Sequence, residues 1–157
     1  MIVASSTTVI SRRHVNLAGS GPPRTVQPYH AARGLSLPDA EKAIERAASR
    51  ARTLAGDAIR EVLTHQDLVG CGLGLDPEVR LPSLATILAS HPLLHAAEGQ
   101  LFRVAIADAA RDCGLMVMAL PEKELRRHLP AAVKPLGPPW REDEKLATAA
   151  ALLALAL

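Results

Sequence analysis

Aromatic residues are what this sequence of 157 residues lacks most: Tyr29, Phe102 and Trp140 are its only three. Hydrophobic residues still make up 48 % of the chain, so the core has to be assembled from Ala, Leu, Val and Ile. A chain of this length can bury such a core within one domain. We therefore predict a single domain over residues 1–157.

Cysteine is also rare, with two residues, and no membrane-directing segment is predicted. Cys71 and Cys113 lie far apart without metal-ligand spacing, which predicts two free thiols in a reduced compartment. The first ten residues have no basic cluster ahead of an apolar stretch, so no signal peptide is predicted. The apolar run 146–157 is too short to cross a bilayer. Together these absences predict a cytoplasmic protein without a membrane partner.

Acidic residues are absent from the first 38 positions, which contain Arg12, Arg13, Arg24 and Arg33. The formal net charge of +2 is too small to indicate a nucleic-acid partner by itself. Its uneven distribution leaves two interpretations. The four arginines are either solvated residues of ordinary strands, or they form a surface that binds the phosphates of a nucleic acid or another anionic partner.

The N-terminal third has the composition of β-structure. Three segments rich in β-branched residues or bounded by turn residues are predicted as strands, namely 2–10, 14–18 and 24–31. Pro28 places the third of them at a sheet edge or a bulge. Because the connections are short, we expect an antiparallel meander.

Two long helices and two buried strands are predicted to follow. Ser36 and Pro38 start a helix over 36–65, whose apolar residues recur at helical spacing, and Gly56 allows a kink. Pro92 starts the second helix and Gly114 ends it. The continuous apolar runs 68–75 and 115–120 are typical of strands covered on both faces. The glycines of the first run indicate close packing of a helix rather than a phosphate-binding loop.

Short helices are predicted over 122–129 and from Glu142 to the end of the chain, and the whole order becomes β-β-β-α-β-α-β-α-α. This order resembles the ribonuclease-H-like superfamily, most of all its Holliday-junction-resolvase branch. The resemblance implies an α/β fold with a mixed five-stranded sheet, three strands antiparallel and two parallel, flanked by helices. The acidic turn Glu142-Asp143-Glu144 before an alanine-rich helix is similar to the family's late acidic residue. The resemblance therefore implies that Asp143 completes a carboxylate set holding two Mg²⁺ ions.

The chain departs from that family pattern at two strands. The family's first strand carries an aspartate, whereas residues 3–9 contain no acid. The family's fourth strand carries a glutamate, whereas 68–75 has none before Asp76. Two-metal phosphoryl transfer needs several carboxylates around the ions. The incomplete set argues against ordinary nuclease activity of that type.

A second candidate site lies at the start of the second long helix. His91, His95 and Glu98 follow at i, i+4 and i+7 and share one helix face. A zincin would have a glutamate directly after the first histidine, but Pro92 stands there. Three interpretations stay open: a metal site of His91 and His95 with Glu98 or Asp143, a catalytic base Glu98 oriented by His95, and a buried polar cluster.

The remaining candidates are weaker. Trp140 is either a lid over the histidine cluster or a hydrophobic plug. The other four histidines are isolated in sequence and are predicted to be surface or capping residues: His14, His30, His65 and His128.

Three functions follow from these observations. The first is a non-catalytic nucleic-acid or partner-binding and assembly protein that uses the N-terminal arginines and Trp140. The alternative is a metal-dependent hydrolase or nuclease with a displaced site of His91, His95, Glu98 and Asp143, holding Mg²⁺ or Zn²⁺. The third is a structural homo-oligomer, a dimer joined through the last helix or the long alanine-rich helix.

Overall fold

The computed structural model describes residues 1–5, 8–19, 26–129, 137–138 and 140–156. Over this part of the chain it has four short strands and six helices. In chain order they are β1 (Ile2–Ser5), β2 (Thr8–Arg12), α1 (Pro28–Ala32), α2 (Leu37–Leu63), β3 (Gly70–Gly74), α3 (Leu84–Ala89), α4 (His91–Asp112), β4 (Met116–Leu120), α5 (Glu122–Arg127) and α6 (Glu142–Ala154).

The strands form two separate two-stranded sheets within the described residues, so the predicted ribonuclease-H-like sheet of five strands is wrong. β1 and β2 pair antiparallel, with Ile2 opposite Arg12. β3 and β4 pair parallel, with Gly70 opposite Met116. The parallel arrangement of the two apolar runs agrees with their connection through helices, but they do not join the N-terminal strands in one sheet. The prediction that both runs are covered on both faces is wrong, since Val69 and Met116 are exposed and most other residues of the two strands are half-buried.

The predicted meander fails for local reasons. The segment 2–10, predicted as one strand, instead contributes β1 and most of β2 of a hairpin. Residues 14–18 form no strand, and residues 24–25 of the third predicted strand lie outside the described part of the chain. Pro28 begins α1 instead, because proline lacks an N–H and has a backbone angle suited to a first helical turn.

The long helices form as predicted because their ends are encoded locally. The Ser36 side chain accepts a hydrogen bond from the Asp39 N–H at the start of α2. The helix continues through Gly56 without interruption to Leu63, so the allowed kink is not used. Pro92 lies in the first turn of α4. Gly114 follows its end with a φ of +79°, the left-handed conformation that glycine adopts easily.

The core lies between α2 and α4 and continues beneath the parallel strands. Its largest cluster joins small side chains of both helices to β4 and its flanks, with Ala55, Ile59, Ala109, Ala110 and Leu115 buried together. At the surface, Arg52 donates two hydrogen bonds of 2.6 Å to Asp112. These hydrogen bonds hold the pKa of Asp112 below its ordinary value. This ion pair joins α2 to α4 at the edge of their interface, whose buried side chains are mostly alanine.

Helix α6 covers β3 and also contacts β1. A methyl group on Gly72 would overlap the carbonyl oxygen of Ala150, so the helix backbone approaches the strand more closely than any other residue would allow. This confirms the interpretation of the glycine-rich run as a helix-packing strand. No helix in the described part of the chain combines the length and apolar character needed to span a membrane.

Candidate metal centre

Three histidines from two helices meet at one point of the surface. His91 is the first residue of α4, His95 follows one turn later, and His30 is supplied by the short helix α1. One ligand atom from each of them lies within 4.8 Å of the other two. The cluster depends on the helical start of α4, where Pro92 favours the turn that places His91 and His95 on one face.

The imidazole rings contact one another in pairs. His95 Nε2 lies 3.2 Å from His91 Nε2, and His30 Nε2 lies 3.4 Å from His91 Nδ1. The ring centroids are separated by 4.6 to 5.3 Å. His91 and His95 are exposed and His30 is half-buried. The nitrogens therefore converge on a position that solvent can reach.

Glu98 lies on the inner side of this cluster and is only 7 % exposed. Its Oε1 accepts a hydrogen bond of 2.9 Å from His30 Nδ1 and another of 3.2 Å from the His30 backbone N–H. Its Oε2 lies 3.8 Å from His95 Nδ1. Burial, and then the charge of Glu98, raise the pKa of the neighbouring Tyr29. The carboxylate thus fixes the His30 ring with Nε2 directed at the other histidines.

His30 is the member of this cluster that the sequence analysis missed. It was predicted to be an isolated residue of a strand, whereas it lies on a helix against α4. Sixty-one positions separate it from His91, and no spacing rule relates residues so far apart. The pair His91 and His95 and the nearby Glu98 were found because they share one helix.

Asp143 lies elsewhere in the molecule. It belongs to the first turn of α6 and lines a cavity of about 750 Å³ formed mainly by β1, β3, α2 and α6. Among the described residues, the group of possible ligands comprises the three histidines and does not include Asp143. Trp140 is half-buried and precedes that helix. The combination of Glu98 with Asp143 therefore has no geometric support in this structure.

The N-terminal arginines have contacts within the chain. Arg12 donates to the carbonyl oxygens of Gly137 and Pro138, and Arg13 forms an ion pair of 2.8 Å with Glu61. Arg33 is exposed next to the end of α1, and Arg24 lies outside the described residues. At least two of the four cations thus hold parts of this chain together.

Both cysteines are free. Cys71 lines the 750 Å³ cavity, and burial raises the pKa of its thiol. Cys113 lies at the end of α4, with its Sγ 4.0 Å from Arg60 Nη1. A raised pKa keeps Cys71 in the thiol form, which is a poor metal ligand and a poor nucleophile.

The fold and the cluster together define an α/β protein with a three-histidine site backed by a buried carboxylate. A comparison with protein-family models, curated proteins and solved structures finds no match for the chain. The geometry of the site is therefore the basis on which a function can be assigned.

Proposed function

We propose that the protein binds Zn²⁺ through His30, His91 and His95 and uses it as a metal-dependent hydrolase. The observation that carries this proposal is the convergence of three imidazoles, each able to supply a ligand atom within 4.8 Å of the others. A tetrahedral ion with Zn–N bonds of about 2.0–2.1 Å places its nitrogen ligands about 3.3–3.4 Å apart. The 3.2 Å between His95 Nε2 and His91 Nε2 is close to that value, whereas the 3.4 Å from His30 Nε2 is measured to the other His91 nitrogen, Nδ1.

The type of ligand favours zinc over magnesium. Imidazole nitrogen suits Zn²⁺ and its neighbours among the transition metals, whereas Mg²⁺ prefers oxygen ligands in an octahedral shell. His91 faces His30 with one nitrogen and His95 with the other. It can give only one of them to an ion, so the proposed site requires its ring to rotate until one nitrogen faces both neighbours.

Glu98 has the role of an outer-shell partner in this proposal. A metal-bound histidine usually donates its second ring N–H to a carboxylate, which fixes its tautomer and makes the bound nitrogen more basic. The 2.9 Å contact from His30 Nδ1 to Glu98 has this geometry. A fully satisfied network without a metal, running from Glu98 through His30 and His91 to His95, is the competing explanation.

Three protein ligands leave one tetrahedral position for water. Catalytic zinc sites keep this position open, whereas structural sites fill it with a fourth side chain. A zinc-bound water loses a proton near neutral pH and becomes a nucleophile for acyl or phosphoryl groups. The exposure of His91 and His95 supports access of a substrate.

The first prediction is that metal-free protein binds zinc at this cluster. Isothermal calorimetry is expected to show one site, and His95→Ala is expected to weaken binding at least 100-fold because it removes one of three ligands. His65→Ala and His128→Ala are matched controls, since both histidines are exposed and lie outside the cluster. Equal affinity in the wild type and His95→Ala would exclude this site.

The hydrolytic part of the proposal has its own measurement. Cleavage of 4-nitrophenyl acetate and bis(4-nitrophenyl) phosphate is followed while zinc is added to the wild type and to His95→Ala. A rate that rises with site occupancy in the wild type alone supports catalysis. Tight zinc binding with no cleavage of either compound would assign the metal a structural role, joining α1 to α4.

The two other functions stay predictions. Binding of a nucleic acid or partner through Arg12, Arg13, Arg24 and Arg33 has no observation in its favour beyond their charge. A dimer through α6 is likewise a prediction.

A further inference from the structure

A second pocket borders the short helix α1. It has a volume of about 260 Å³ and is formed by α1, α2, Phe102 of α4 and the chain just before residue 19. Its lining is apolar apart from two arginines and comprises Leu17, Ala18, Pro28, Ala31, Ala43, Arg46, Ala47, Arg50 and Phe102. An apolar pocket with a few convergent polar groups is the usual form of a small-molecule site.

Arg46 and Arg50 differ from most arginines of this protein. Seven others form ion pairs with a carboxylate: Arg13, Arg52, Arg60, Arg103, Arg111, Arg126 and Arg127. Arg46 and Arg50 make no hydrogen bond or ion pair with any residue that the structure describes. Because they are four positions apart on α2, their like charges repel each other on one helix face. An anion between them would remove this repulsion.

The Arg50 guanidinium group lies close to the backbone at Gly19, beside the pocket. It packs against Gly19, where an added Cβ would lie 2.5 Å from Nη2. Gly19 has a φ of +73°, which glycine adopts without strain. Arg46 and Arg50 are both exposed, and the Arg50 guanidinium group lies beside Gly19 next to the pocket. A guanidinium fork binds carboxylate and phosphate oxygens with two hydrogen bonds.

The remaining wall suits an apolar body of limited size. Phe102 is one of only three aromatic residues in the chain, and its ring is partly buried against Leu101, Ala105 and Ala51. The alanines of α1 and α2 leave the rest of the pocket open because their side chains are short. The volume is slightly below the range of drug-sized sites, about 300–1,000 Å³, and so fits a ligand of roughly ten heavy atoms.

We infer that this pocket binds a small organic anion with an apolar body, its charged group on Arg46 and Arg50 and its body against Phe102. The inference stands apart from the proposed metal site, since none of the three histidines lines the pocket. The two sites share two helices: α1 carries His30 and the pocket residues Pro28 and Ala31, and α4 carries His91, His95 and the pocket residue Phe102.

Benzoate is the probe for this inference, and benzyl alcohol is its neutral counterpart of nearly the same size. Both are titrated into metal-free protein in EDTA while backbone amide shifts are followed by NMR. We expect saturable benzoate shifts centred on Gly19, Ala31 and Ala47, and binding of benzyl alcohol at least tenfold weaker. Because metal is absent, the result does not depend on the zinc proposal.

The variant Arg46→Gln/Arg50→Gln is expected to weaken benzoate binding at least tenfold. Arg80→Gln/Lys123→Gln is the matched control, since it removes two positive charges from exposed residues outside the pocket. Equal affinity for benzoate and benzyl alcohol, or an equal loss in both double variants, would overturn the inference. Shifts that spread over the surface without saturating would overturn it as well.

Discussion

Glu98 is the residue that joins the histidine cluster to the interior. Its carboxylate is nearly inaccessible, yet both hydrogen bonds to its Oε1 come from His30. A buried carboxylate is costly unless such donors compensate for lost hydration. No buried side-chain polar atom in the described part of the chain lacks a hydrogen-bond partner. Glu98 therefore ties α1 to α4 through His30, and it orients one ligand of the proposed zinc site.

Replacing Glu98 tests this role at the residue scale. Glu98→Ala is expected to lower zinc affinity by about 10–100-fold, the usual effect of losing an outer-shell partner of a metal ligand. Glu98→Gln keeps an acceptor for the His30 N–H and is expected to lose less. The exposed Glu41 of α2 provides the control Glu41→Ala, measured by the same zinc calorimetry. Glu98→Ala with wild-type affinity and unchanged circular dichroism would contradict the assignment.

At the element scale, the position of α6 on β3 depends on the absence of a side chain at Gly72. Because Gly72 has no side chain, the backbone of α6 at Ala150 packs directly against the strand. Leu125, Leu146 and Ala150 pack together beside this contact and extend it to α5. The same closeness makes the interface intolerant of even one added methyl group.

Two glycine substitutions should therefore have opposite effects. Gly72→Ala is expected to destabilise the protein by about 1–3 kcal/mol or more, because backbone must move to admit the methyl group. Gly99→Ala, inside α4, meets only the end of the Arg103 side chain at 3.3 Å and is expected to gain up to about 1 kcal/mol. Urea denaturation measures both. Equal stability of Gly72→Ala and the wild type would show that α6 packs less closely than described here.

At the scale of the whole molecule, the proposed ion would connect segments that are distant in sequence. His30 lies on α1, which packs against α2 and α4, and the other two ligands begin α4, the helix at the centre of the core. A ligand that binds only the folded chain stabilises it according to its concentration and affinity. Zinc binding should accordingly be visible in global unfolding.

Thermal unfolding provides this measurement. At a free zinc concentration of 100 times Kd, the stabilisation is about 2.7 kcal/mol, which corresponds to a rise in Tm of about 5–11 °C for a chain of this size. His30→Ala should abolish most of the rise, because it removes the ligand from α1. A rise of the same size in His30→Ala would mean that zinc acts at another place.

How much of this architecture the sequence discloses differs from element to element. The starts of α2 and α4 were predicted from Ser36 and Pro92, and the end of α4 from Gly114, since capping and proline sterics act over a few residues. The N-terminal strands were misassigned. β-branched composition gives neither the position of a hairpin turn nor the choice between strand and helix at Pro28.

The sequence by itself determined the two long helices, the strands within the apolar runs 68–75 and 115–120, and the shared face of His91, His95 and Glu98, because each is a relation between near neighbours. Only the tertiary structure decided that the strands form two sheets and that His30 completes the cluster. The packing of α1 against α4 brings His30 next to His91 and His95. The periodicity of a helix indicates that it has a buried face, but not which distant element covers that face. A contact across 61 positions therefore cannot be read from the sequence pattern.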